Sequence, residues 1–77
     1  MDRLTEQAML RKVDRLIAGA EMAVMEQIAD LDKQCVDGHD TVLAERSLRA
    51  FAGSLEALRE HRRLIVQTIR QIDQGVI

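Results

Sequence analysis

Residues 36–44, Val36-Asp37-Gly38-His39-Asp40-Thr41-Val42-Leu43-Ala44, decide how the whole chain is read. Helical periodicity runs up to this stretch, stops, and resumes after it. Gly38 suits the left-handed position that closes a helix. Asp40 or Thr41 can cap the next helix by accepting a backbone N–H bond. The chain has no proline, so nothing forces a second break. Working outward, the spacing predicts helix 1 over about 3–36, a turn over 37–40 and helix 2 over about 41–74. At 1.5 Å per residue each helix is roughly 50 Å long, and so short a connection makes them antiparallel neighbours. Gly75 falls where the tail would fray. Gly19 and Gly53 lie inside periodic stretches, where each costs about 1 kcal/mol relative to Ala. They are read either as tolerated surface glycines or as points where helix axes approach closely.

Helix 2 carries the cleaner pattern. Ala44, Leu48, Phe51, Leu55, Leu58, Arg62, Ile65, Ile69, Ile72 and Val76 follow a strict 4-3 spacing, with only Arg62 polar. That is a coiled-coil seam. Beside it, Leu43, Ala50, Ala57 and Leu64 recur every seven residues and widen the apolar stripe. In helix 1 the stripe is Leu10, Val13, Ile17, Ala20, Val24, Ile28, Leu31 and Cys35. Its 4-4 step at Ala20–Val24–Ile28 reads as a stutter that relaxes the supercoil. Met9, Leu16 and Ala23 flank it on one side. Ala18, Met22, Met25, Ala29 and Val36 form a further patch about 110° round the helix.

Composition says why that extra apolar width matters. The chain has 77 residues, one Phe, no Trp or Tyr, and one Cys. Below roughly 70–80 residues a single core supplies only a few kcal/mol, and such chains lean on disulfides, metals or self-association. One cysteine excludes an internal disulfide or a Cys-based zinc site. The near absence of aromatics excludes a stacking platform for single-stranded nucleic acid. Self-association remains. The expected fold class is therefore all-α: an antiparallel two-helix hairpin, coiled-coil-like, that dimerises into a four-helix bundle. The expected dimer interface is Ala18, Met22, Met25 and Ala29 of helix 1 with Leu43, Ala50, Ala57 and Leu64 of helix 2.

The formal net charge is −2, which gives no overall reason to expect nucleic acid as a partner. Its distribution is uneven. Residues 21–57, the loop half, carry net −5; residues 1–20 and 58–77, the open half, carry net +3. Such a dipolar rod favours head-to-tail pairing, within the limit that surface charges are screened beyond about 8 Å. No signal-like leader and no apolar run near the roughly 20 residues of a membrane span is present, so a cytoplasmic location is expected, with no membrane partner.

Candidate chemistry is sparse. Arg11, Lys12 and Arg15 on helix 1 fall at heights similar to Arg59, Arg62 and Arg63 on helix 2. They read either as an anion or RNA-backbone site or, as the plainer expectation, as a solvated face with pairs such as Arg11–Asp14, Arg59–Glu60 and Glu56–Arg59–Arg63. Arg62, on the seam, is expected to snorkel or to meet a carboxylate of a partner chain. His39 and His61 sit about 30 Å apart along the rod and lack the Glu-x-x-His spacing of helical metal sites. Cys35, at a seam position, is expected to be a small buried hydrophobe. No phosphate-binding glycine loop, Ser/His/Asp set or acid–base carboxylate pair occurs. The expectation is no enzyme, no metal and no cofactor.

The stretch Ile28-Ala-x-Leu31, Gly38-His-Asp-Thr41, Ala44-Glu, Leu48, Phe51, Ser54-Leu55, Leu58 and His61-Arg62 resembles a family of short alphaproteobacterial helical-hairpin proteins. The resemblance covers roughly residues 26–65 and implies no activity and no site residues. In architecture alone the chain is also similar to Rop, a plasmid copy-number regulator that is a helical-hairpin dimer binding RNA. The functional expectation is a small protein–protein interaction or regulatory module acting as a homodimer, with Rop-like RNA or anion binding at the basic open end as the alternative.

Overall fold

In a computed structural model, which describes residues 2–75, the chain is two long helices packed against each other as a hairpin. Helix α1 runs Arg3–Val36 and α2 runs Val42–Asp73. The result is a rod of 58 × 15 × 13 Å. Its Cα radius of gyration is 17.4 Å, against about 11.5 Å for a compact globule of this length.

Local chemistry fixes the four helix ends. Asp2 caps α1: its carboxylate accepts from the Leu4 N–H at 3.1 Å and from the Thr5 hydroxyl at 2.9 Å. At the other end Gly38 takes φ +76, the left-handed conformation that a side chain would strain. That conformation lets the Gly38 N–H reach the Cys35 carbonyl and the His39 N–H reach the Gln34 carbonyl, which satisfies two otherwise orphaned carbonyls. The start of α2 divides the work between two residues. Asp40 accepts from the Val42 N–H at 3.0 Å, while the Thr41 carbonyl takes the Glu45 N–H and its hydroxyl donates to Glu45. Gly75 does more than mark a frayed tail. At φ +74 it closes α2, its N–H donating to the Ile72 carbonyl.

Along the seam of α2 from Ala44 to Ile72, Leu55 and Ile65 are buried and most other positions half-buried, but Phe51, at 39%, and Arg62 are exposed; Val76 lies outside the described residues. In α1 the structure corrects the expected stutter. The inward positions are Leu10, Val13, Ile17, Ala20, Val24, Gln27, Leu31 and Gln34, an unbroken 3-4 register. Gln27 and Gln34 are half-buried, whereas Ile28 is 44% exposed and Cys35 is exposed. The cause is geometric. A straight helix drifts about 20° per heptad from a 3.5-residue period; the left-handed supercoil removes that drift, so the facing stripe keeps the 3.5-residue period even where its positions are polar. Two ion pairs fix the register between helices: Arg3–Asp73 at 2.6 Å and Arg62–Asp14 at 2.7 Å. Both pairs of residue numbers sum to 76, close to the 78 implied by the turn.

Only three side chains of the described residues are buried: Val13 at 3%, Ile65 at 3% and Leu55 at 7% exposure. The accessible surface is 5716 Å². A compact monomer of 8.7 kDa exposes about 4,700 Å².

Candidate functional site

All eight residues expected at a dimer interface are exposed in the single chain: Ala18, Met22, Met25, Ala29, Leu43, Ala50, Ala57 and Leu64. They do not form one surface. A helix turns 100° per residue, so each position can be placed by its angle from the stripe that faces the other helix. On α1, Ala18 and Met25 lie roughly 115° from that stripe and Met22 and Ala29 nearly 170°, on the far side of α1 from α2. The Leu43–Ala50–Ala57–Leu64 row lies about 125° from the stripe on α2, turned the opposite way. In an antiparallel right-handed pair, those two senses of rotation lead to opposite faces of the hairpin. The eight residues are therefore divided between two faces of the hairpin.

The Leu43–Leu64 row instead shares its face with the Met9–Leu16 flank of α1. An open groove of about 250 Å³ marks the join, lined by Met9, Lys12, Val13 and Leu16 of α1 and Leu58 and His61 of α2. Continuing both rows by sevens gives Met9, Leu16 and Ala23 on α1 and Ser47, Ser54 and His61 beside the Leu43 row on α2. This groove face is apolar and small along most of its length.

The opposite face is charged. A second groove, about 390 Å³, is lined by Arg59, Arg62, Arg63, Val66, Gln67 and Arg70, all from α2. Three of these arginines already have carboxylate partners. Arg62 donates to Asp14 at 2.7 Å, Arg63 to Glu60 at 2.6 Å, and Arg59 to Glu56 at 3.4 Å. The Arg62 pairing lies within the chain. Expected pairs Arg11–Asp14 and Arg59–Glu60 do not form; Asp14 reaches across the hairpin, and adjacent residues such as Arg59 and Glu60 point in different directions on a helix. Hydrogen bonding to Arg63 holds the Glu60 carboxyl below its usual value and raises the guanidinium.

The six basic residues singled out from sequence are therefore not brought together. Arg59, Arg62 and Arg63 share the charged groove, Lys12 lines the other groove, and Arg15 points away from α2 on the periodicity of α1. Arg70, which sequence reading passed over, completes the cluster; its signal was the 7-residue step from Arg63. Among the described residues no three His, Cys, Asp or Glu side chains are placed to hold a metal ion, and no helix is long and apolar enough to cross a membrane. His39 sits exposed in the turn. No protein-family model, curated protein or solved structure matches this chain.

Proposed function

We propose that the protein is a small non-enzymatic interaction or regulatory module that works in the cytoplasm as a homodimer, two hairpins forming a four-helix bundle. The observation that carries this is the excess surface. The chain exposes 5716 Å², about 1,000 Å² more than a compact protein of its mass. A stable interface takes about 800 Å² from each partner. Exposed Met9, Leu16, Leu43 and Leu64 make the excess apolar, and apolar surface in one contiguous patch is an association site or a liability. Sedimentation equilibrium tests the reading. The expected result is a dimer at micromolar concentration; a folded monomer there removes it.

A second reading has its own observation, the groove where four arginines converge on one side of α2. In it the open end binds a phosphate backbone. Three of the four arginines are held by carboxylates, which a ligand must displace, so the interaction module is the better supported reading. Binding to structured RNA that falls steeply with salt and is lost in Arg62→Glu with Arg63→Glu supports the RNA reading; no binding at low salt removes it.

A further inference from the structure

We propose that the second copy seats on the groove face alone and lies head to tail, its turn over the first copy's open end. The proposal rests on the homodimer reading above and adds to it the face and the orientation. Charge selects the face. The opposite side carries the Asp14–Arg62, Glu56–Arg59 and Glu60–Arg63 pairs together with Arg70, all of which would lose water in an interface. Among the described residues the groove face carries no ion pair, and its large apolar residues are exposed: Met9 at 39%, Leu16 at 49%, Leu43 at 75% and Leu64 at 47%.

Size and charge along that face select the orientation. Its open half holds the bulky Met9, Leu16 and Leu64 with the basic Lys12 and His61. Its loop half holds one bulky residue, Leu43 near the turn, then the small Ser47 and Ala50, with acids Glu26 and Asp30 against Lys33. Its middle is small throughout: Gly19, Ala23, Ser54 and Ala57. A head-to-tail copy sets Met9, Leu16 and Leu64 on Ser47, Ala50 and Ser54, Lys12 and His61 over Glu26 and Asp30, and small middle on small middle. An aligned copy sets bulk on bulk and acid on acid. Gly19 supports a close approach at the centre. A Cβ built on it meets nothing within 4 Å, so the chain's own fold does not require glycine there. A helix-interior glycine is nevertheless unfavourable relative to alanine, and a facing chain supplies the reason for it.

Cys35, exposed near the end of α1, gives a direct test on the unmutated chain. With a nitroxide on this cysteine, dipolar spectroscopy reads the separation between copies. Head-to-tail pairing about the Gly19 level puts the labels about 45 Å apart at 1.5 Å per residue. Aligned pairing leaves only the sideways spacing of a bundle, under about 25 Å, and a peak there overturns the orientation. Ala57→Arg is expected to weaken dimerisation at least tenfold and Met22→Arg to leave it within twofold. The reverse ranking, with helicity retained, overturns the face. A monomer in sedimentation with no dipolar signal fails the homodimer reading itself, an outcome distinct from either of those.

Discussion

Near the open end of the hairpin Val13 and Ile65 are buried, and both ion pairs that cross between the helices, Arg3–Asp73 and Asp14–Arg62, are found there. In the loop half only Leu55, close to its inner limit, is buried, the facing positions include Gln27, Gln34 and Thr41, and no ion pair crosses. Met22 and Met25 are 63% and 67% exposed in that stretch. The half tied covalently by the turn is the half held least by packing. The turn already confines those residues to one another's neighbourhood, so weak contacts suffice to keep them paired. The free ends have no such tether and depend on apolar burial and cross-helix charge.

The sharpest way to break this contrast is to remove equivalent bulk from each half. Ile65→Ala, at 3% exposure, is expected to cost about 3 kcal/mol, enough to abolish the cooperative thermal transition seen by circular dichroism. Leu48→Ala, half-buried in the loop half, is expected to cost about 1.5 kcal/mol and to leave a measurable transition. Equal losses would mean that the two halves are packed alike. The next largest effect runs the other way. Gln27→Leu with Gln34→Leu supplies the missing apolar groups in the loop half and is expected to raise stability by about 1 kcal/mol, read as a higher urea midpoint. No gain would mean that these glutamines do not face α2.

The smallest effect concerns the extreme open end. The Thr5 hydroxyl first, and the Leu4 N–H next, hold the Asp2 carboxyl below its usual value. A carboxylate depressed in the folded state contributes stability above its unfolded value and loses it as pH falls through the folded one. Helicity is therefore expected to fall slightly below about pH 4 as the first turn of α1 frays. Asp2→Asn, which caps without titrating, is expected to flatten that loss in a circular dichroism titration. An identical titration would show that the cap contributes nothing measurable.

The turn and the α2 seam were legible in sequence because each rests on a local rule: glycine tolerates positive φ, and apolar residues at 4-3 spacing share a stripe. In the α1 seam only Ile28 and Cys35 differ from the sequence pattern, because they are more apolar than Gln27 and Gln34. Polarity pointed to the first pair, and the fixed period of the supercoil placed the second pair inward. The division of the exposed apolar residues between two faces was hidden for another reason. It depends on the handedness of one helix relative to its antiparallel neighbour, which no single-helix angle contains. The Arg59–Arg70 cluster was half legible. Its spacing was visible, but the capture of Arg62 by Asp14, 48 positions away in the chain, was not.

The placement of the buried residues also bears on how the hairpin forms. Val13 and Ile65 sit at the same height, one on each helix, and joining them closes a loop of about fifty residues. Zipping outward from Gly38 meets only half-covered contacts for most of the way, so each early step gives up chain entropy for little return. The gain arrives late, when the Val13–Ile65 layer closes. A rod built this way is expected to fold in one step, without a stable half-zipped species.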